Sequence, residues 1–437
     1  VRRILLGLAT LLALSAIAWG IARLQGASSG LSVTTLPVGE IPARVFRPAG
    51  GAPAPVVVIA HGFAGSQEMM QPFATTLAQA GFIAVTFDFP GHGGNPTPLA
   101  GGLTNDEAAS GALLSALTRV VAAIRPLGDG RLALLGHSMA ADIVIRWGFD
   151  RREAAATVAL SGFGPQVTAE QPRNLMVAVG AWEPEFLQAA ARRIVALAAG
   201  GEPAEDTTYG RFADGTARRL VIADGVEHIG ILYSQDALAQ SRAWLAEAFG
   251  RAPGRVPVDA RGPAIGLLVG GLVLLAWPLS RLLPRVAAGP PGAGLGWRRF
   301  WPIAVVPAVA TPLILRLVPT GFMPLLLGDY LTAHCALYGV LTGLLAWRLR
   351  PRAAPVASSP AKAAIAAAAI LLYLALLGGA LDHWVIAFLP APHRLVLVPI
   401  VLLGTLPWFA TDEWATRAPG TARGAYAATK ALFLLSL

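Results

Sequence analysis

The sequence predicts an α/β domain built on a doubly wound, mostly parallel sheet, followed by a C-terminal all-α transmembrane domain. Two observations carry this. Between about residues 30 and 255, short β-branched apolar runs alternate with helical patterns, as in a parallel sheet covered on both faces. From about 263 onward the chain becomes a series of apolar runs, each near the length that crosses a bilayer. Composition agrees: 55% of the 437 residues are hydrophobic and 14% charged, too apolar for a wholly soluble protein. Three segments follow. Residues 1–25 form an N-terminal signal anchor or signal peptide, 26–255 the α/β domain, and 256–437 the multi-span domain.

The elements of the middle domain read in order. Val33 to Phe46 alternates loosely and predicts an opening pair of strands. Pro55 to Ala60 is short, β-branched and bounded by proline, a buried strand that runs into His61-Gly62-Phe63-Ala64-Gly65-Ser66. A helix over Pro72–Ala80 closes on Gly81, and the next strand, Phe82–Phe87, leads into Asp88-Phe89-Pro90-Gly91-His92-Gly93-Gly94. Thr104 with Glu107 forms a capping box for a helix reaching about Ile124. A strand over Arg131–Leu135, a helix from Met139 to about Trp147, and strands at Ala155–Leu160, Asn174–Val179 and Leu220–Ala223 complete the alternation.

Gly136-His137-Ser138-Met139-Ala140 stands between one of these strands and its helix. A serine flanked by small residues at such a junction is the pattern of a nucleophile elbow, where a tight turn forces strand and helix into near contact. Ala140 occupies the position usually held by glycine, and a methyl group still fits there.

Together, His61-Gly62-Phe63, Asp88 through Gly93 and Gly136 through Ala140 resemble the α/β-hydrolase superfamily, most closely its dienelactone-hydrolase-like and serine esterase branches. The resemblance covers about residues 33–250. Pro90 stands where an arginine often precedes Gly91-His92-Gly93, which loosens the assignment to a branch. The resemblance implies a triad in the chain order serine, acid, histidine. Ser138 is the implied nucleophile. His228, in the loop after a late strand, is the implied base and the only histidine of the domain downstream of Ser138. Glu183 falls three residues after Gly180 and before Pro184, where the family keeps its acid; Glu185 and Asp224 compete with it, and Glu183 as a mere helix cap is the alternative. The resemblance further implies an oxyanion hole made by the backbone N–H groups of Phe63 and Met139. His61, His92 and His137 are expected to pack or hydrogen-bond within their loops. Between Leu160 and Leu175 there is no room for a lid. Residues 202–217, with Tyr209 and Phe212, either cover the site or leave it open.

Charge supplies an orientation. The formal +9 is nearly all arginine, with Lys362 and Lys430 the only lysines, and it clusters between apolar spans without an aromatic-interleaved basic stripe. That excludes a nucleic-acid reading and fits the inner loops of a membrane protein. Arg2 and Arg3 precede the apolar run Ile4–Leu24, read as an uncleaved anchor in preference to a signal peptide. Further spans are expected at about 263–283, 300–318, 322–347, 363–389 and 395–410. With the N-terminus inside, inner loops hold Arg281, Arg285, Arg298 and Arg299, then Arg348, Arg350, Arg352 and Lys362, then Arg417, Arg423 and Lys430, whereas the outer turns hold only Arg394. This places an integral protein in the inner or plasma membrane, its α/β domain facing the periplasm or cell exterior. The apolar stretch from Ala425 to Leu437 is too short to span, so it is expected to lie in the interface or to belong to a truncated span. Asp329, His334, Asp382 and His383 fall near the outer leaflet as a candidate polar cluster, with Asp329 paired to His334 as the plain alternative.

The expected activity is that of a membrane-anchored serine hydrolase acting on a small-molecule or lipid carboxylic ester. An acyltransferase or peptidase using the same triad is the alternative enzyme, and an inactive hydrolase-like binding module the non-enzyme one. No metal or organic cofactor is implied, since neither a ligand-spaced cluster nor a phosphate-binding glycine loop is present. The single cysteine, Cys335, permits no internal disulfide. Nothing in the sequence points to a protein partner.

Overall fold

The computed structural model describes residues 2–437 except Leu103, Thr104, Pro165, 253–256, Ala288, Pro290, Pro291, Leu326 and 351–357. Thr104 of the expected capping box and Arg352 of an expected inner loop therefore lie outside the described residues. The chain forms two compact units, Val1–Arg281 with Ala375–Leu389, and Leu282–Leu374 with Pro390–Leu437.

The first unit opens with helix α1 (Arg2–Ala27), then β1 (Leu31–Thr35), β2 (Ala43–Pro48) and β3 (Val56–Ala60). After a 3₁₀ turn at Gln67–Met70 come α2 (Gln71–Gln79), β4 (Ile83–Phe87), α3 (Asp106–Ile124), β5 (Leu132–His137), α4 (Met139–Asp150) and β6 (Ala154–Leu160). Then follow β7 (Leu175–Gly180), α5 (Glu185–Ala199), β8 (Thr208–Tyr209), β9 (Arg218–Ala223), α6 (Gln235–Ala248) and α7 (Gly262–Ser280). The strands make one nine-stranded sheet in the order β1-β2-β4-β3-β5-β6-β7-β9-β8. Pairing is parallel from β4 to β9 and antiparallel at both margins.

The uniformly apolar strands are explained by their two covered faces. In β3, Val57 and Ile59 enter a core shared with Phe73 and Leu77 of α2 and Trp244 of α6. Val56, Val58 and Ala60 enter the opposite core with Leu117 and Val120 of α3 and Val144 and Trp147 of α4. A third cluster joins α4 and α5 to β6, β7 and β9. From β3 the chain winds outward to β4, then returns to place β5 on the other side of β3. The crevice beyond the carboxyl ends of β3 and β5 is thus a topological switch point.

Residues 202–217 do not cover that crevice. Within them β8 pairs with Arg218 and Arg219, the amino-terminal start of β9, about 15 Å of strand away from its carboxyl end. Phe212 packs on Trp244 at 4.5 Å. The α3 helix is capped by Asn105, whose side chain accepts from Ala108 N–H at 3.0 Å.

α1 and α7 pack closely within the first unit because small residues face across the pair. A Cβ at Gly20 would lie 2.8 Å from the Ala264 carbonyl oxygen, and one at Gly271 would lie 2.9 Å from that of Ala13. The second unit holds α8 (Trp297–Leu315), α9 (Gly328–Leu349), the start of α10 (Pro360–Trp384), a 3₁₀ turn (Pro392–Leu397), α11 (Val398–Thr416) and α12 (Ala425–Ser436). Seven described helices are long and apolar enough to cross a membrane. One of them is α3 with its 3₁₀ extension, whose apolar face is buried against the sheet. The others are α1, α7, α8, α9, α10 and α11 with its preceding turn. The alternative pairing of Asp329 with His334 is not what is seen. Asp329 accepts its neighbour Tyr330's N–H, and the His334 ring meets Ser436 Oγ at 3.0 Å.

Candidate active site

The sheet brings the site together by register. Ala60 of β3 pairs beside Gly136 of β5, so the segments that follow them, Gly62-Phe63 and Ser138-Met139, emerge side by side. On the other flank Gly180 of β7 pairs with Ala223 of β9, which sets the Glu183 and His228 loops next to each other.

Ser138 has φ 55° and ψ −121°, a left-handed conformation that costs a non-glycine residue about 1–3 kcal/mol. Gly136 makes the turn possible, because a Cβ there would lie 2.3 Å from the Ala140 carbonyl oxygen. Ala140 is itself fully buried, its methyl group part of the core between β3 and α4. A methyl group at this position is therefore accommodated, and the tight contact falls on Gly136.

A continuous hydrogen-bond chain runs through the three sequence-derived residues. The His228 ring meets Ser138 Oγ through Nε2 at 2.8 Å and Glu183 Oε2 through Nδ1 at 2.8 Å. An ionised carboxylate only accepts, so Nδ1 carries the proton and Nε2 is left to accept from the serine hydroxyl. The hydrogen bond to Glu183 holds the imidazole above its ordinary 6.5, against the opposing effect of burial. Burial alone would raise the Glu183 carboxyl. Hydrogen bonds from His228, Ser161 and Gly180 together prevail and hold it below 4.5.

Glu183 is not a helix cap. Pro184 stands at the N-cap of α5, with no side-chain cap. Instead Glu183 Oε1 accepts from Ser161 Oγ at 2.5 Å and from Gly180 N–H at 2.9 Å. Ser161 escapes sequence reasoning, since it lies 22 residues from its partner and joins it only when β6 and β7 pair. Its φ of 57°, just past the end of β6, is not a sequence feature. The competing Glu185 starts α5, and neither it nor Asp224 is hydrogen-bonded to the His228 ring.

The other histidines hold loops. His137, kept neutral by burial at a pKa of about 4, donates from Nε2 to the His228 carbonyl oxygen at 2.8 Å. His61 is fully buried and depressed by desolvation to about 3. It donates from Nδ1 to the Gly62 carbonyl at 2.8 Å and accepts Phe89 N–H on Nε2 at 3.1 Å. Phe63 sits on the loop after β3 and Met139 opens α4, and among the described residues neither N–H has a backbone or side-chain acceptor. A cavity of about 40 Å³ is lined by Gly62, Phe63, Ser138, His228 and Ile229, among others. Around the strand ends Phe63, Phe163, Trp182, Phe186 and Ile229 are exposed, with the Phe163 and Phe186 rings stacked at 6.0 Å. Among the described residues no group of three His, Cys, Asp or Glu side chains is arranged to hold a metal ion.

A sheet of this topology, with a serine elbow at its switch point, defines an α/β hydrolase domain of the serine-hydrolase type. The profile of the family described as "Serine aminopeptidase, S33" matches residues 51–208, which include Ser138 and Glu183 and end before His228. Among solved structures the chain is similar to TT1662 from Thermus thermophilus, at 16% identity and a TM-score of 0.40 over 51% of this chain and 99% of that one. It is also similar to a putative dienelactone hydrolase from Klebsiella pneumoniae, at 17% identity and TM-score 0.35 over 50% and 98%. A membrane phospholipase A described as a bacterial virulence factor matches at 15% identity and TM-score 0.38 over 57% and 99%. No curated protein sequence matches the chain.

Proposed function

We propose that the chain is a membrane-anchored serine hydrolase that cleaves carboxylic esters through an acyl-enzyme on Ser138. The observation that carries the reading is the unbroken Ser138–His228–Glu183 chain, with 2.8 Å at both links. His228 Nε2 takes the serine proton as Oγ attacks the ester carbonyl, and Glu183 stabilises the imidazolium that forms. The carbonyl oxygen gains negative charge, to be met by the N–H groups of Phe63 and Met139, the latter at the positive end of α4. The proton then passes from His228 to the departing alcohol. Water, deprotonated by the same base, releases the acid.

The exposed aromatic collar, with residues 202–217 held at the far end of the sheet, favours an apolar acyl group on an accessible substrate. An aminopeptidase reading draws on the description of the matching family. Such an enzyme needs a carboxylate to hold a substrate ammonium. Two near the site are engaged by backbone instead: Glu227, just before His228, accepts Ile229 and Gly230 N–H at 2.7 Å each, and Asp142, in the first turn of α4, accepts Phe163 and Gly164 N–H at 2.9 Å each. That favours the ester. The membrane helices α1 and α7 to α11 anchor the enzyme, with the hydrolase domain outside the cytoplasm.

Labelling with a fluorophosphonate tests the nucleophile: wild type is expected to label and Ser138→Ala not. An unlabelled wild type, or equal labelling of the variant, refutes the proposal. Turnover of p-nitrophenyl esters against aminoacyl p-nitroanilides then separates esterase from peptidase.

A further inference from the structure

Residues 202–217 do not cover the strand ends, and the polar pair Asp382-His383 at the end of an apolar helix has no part in the triad. The two facts meet at one place in the first unit. The segment that follows α10 is held in a turn by Asp382, whose Oδ1 accepts the N–H groups of Phe388 and Leu389 at 2.9 Å each. From this turn Ala387 N–H donates to Ser66 Oγ at 2.8 Å, and the His383 carbonyl accepts from Gln71 Nε2 at 3.0 Å. Ser66 is fully buried, and its hydroxyl donates a hydrogen bond to Glu68 Oε2 at 2.6 Å. Glu68 in turn pairs with Arg44 of β2 at 3.0 Å, and Gln71 Oε1 accepts from Arg261 Nη1 at 2.8 Å, next to α7.

Ser66 immediately follows the loop Gly62–Gly65 that carries the Phe63 N–H. That loop is closed by Gly65 N–H on the Gly62 carbonyl at 3.1 Å, and Ala64 within it has φ 55°. Backbone held in such a conformation persists only when its surroundings over-determine it. His61 fixes the upstream end through Gly62 and Phe89. The downstream end is fixed by Gln67 N–H on Asp88 at 2.8 Å and by the Ser66 contact. Resting on the ester-hydrolase reading above, we infer that Ser66 and Gln71 are positioning residues through which the segment Asp382–Leu389 holds the oxyanion loop in register with Ser138. The end of an apolar helix thereby completes the active site of the sheet domain.

The test uses the full chain in detergent, measuring kcat and KM on p-nitrophenyl butyrate and the rate of fluorophosphonate labelling. Ser66→Ala and Asp382→Ala are each expected to lower kcat and labelling about tenfold, less than the hundredfold or more for outright loss of one oxyanion donor. KM stays within about twofold, because the contact serves the transition state and not ground-state binding. Ser66→Thr, which keeps the hydroxyl, recovers most of the rate. The double variant is no slower than the slower single one, since both break the same connection. Wild-type kcat in Ser66→Ala, damage in Ser66→Thr equal to that in Ser66→Ala, or losses that multiply in the double variant would overturn the inference. If Ser66→Ala does not fold, Asp382→Ala decides the matter, being outside the sheet's core. A wild type that fails to label overturns the hydrolase reading itself, whereas a labelling wild type with unaffected variants overturns this inference alone.

Discussion

At the scale of single residues, the proposed chemistry turns on the hydrogen bond between Glu183 and His228. The imidazole is raised above 6.5 by its hydrogen bond to Glu183, and the base must be neutral to act, so kcat/KM is expected to rise with pH to a plateau with a midpoint above 6.5. Glu183→Gln removes that support, and the midpoint should fall while kcat drops by about four orders of magnitude. A midpoint unmoved by the substitution would show that Glu183 does not tune the base. The same pair leaves a signature in stability. Raised His228 contributes fully below 6.5 and loses its contribution as pH climbs through its folded pKa. Lowered Glu183 contributes above 4.5 and loses its contribution as pH falls through its folded pKa. The difference in Tm between wild type and Glu183→Gln should therefore be greatest between about pH 4.5 and 6.5 and narrow on either side. The three members of the chain were legible in the sequence because each follows a recognisable strand at a family offset. Ser161 and His137 were not legible in their supporting roles. Their partners, Glu183 and the His228 carbonyl, reach them only across paired strands.

At the scale of elements, the elbow illustrates why one position tolerates a methyl group and its neighbour does not. A Cβ on Gly136 would press against the Ala140 carbonyl at 2.3 Å, a backbone atom that cannot swing aside. Gly136→Ala should cost about 3 kcal/mol and displace the serine, seen as a lower Tm together with loss of fluorophosphonate labelling. Ala140→Gly, by contrast, removes a buried methyl and a helix-favouring residue for about 1 kcal/mol, and labelling should persist. Equal effects of the two would contradict this geometry. Strand and helix types were readable from β1 to β7 and at β9, where each run is short, apolar and bounded by proline, glycine or a cap, whereas β8 and the more polar α6 gave no such signal. Boundaries were less so: β5 extends to His137, two residues beyond the apolar run, because pairing with β6 continues to Leu160. Residues 202–217 were open to reading as a cover because Tyr209 and Phe212 look like exposed aromatics. Pairing with the start of β9 and packing on Trp244 use them at the far end of the sheet.

At the scale of the whole molecule, the arginine distribution makes a topological claim that geometry within each unit does not address. Placing the hydrolase domain outside requires the segments after α7, after α9 and after α11 to lie inside. Those segments hold Arg281 and Arg285, Arg348 and Arg350, and Arg417, Arg423 and Lys430. Two of the charges in the last group are locally neutralised. Lys430 pairs with Asp412, and Arg417 with Glu413 at 3.3 Å. The rule concerns counts of lysine and arginine, to which acidic partners contribute little, so the orientation stands on all three groups. Cys335, the only cysteine, makes the test direct. In a Cys335→Ser background, Glu202→Cys on the hydrolase domain and Ser358→Cys between α9 and α10 place one thiol on each predicted side. A membrane-impermeant maleimide applied to intact spheroplasts should label the first and spare the second until the membrane is permeabilised. The opposite pattern would invert the topology and move the proposed ester substrate to the cytoplasmic side, leaving the triad chemistry untouched but changing which lipids or solutes can reach Ser138.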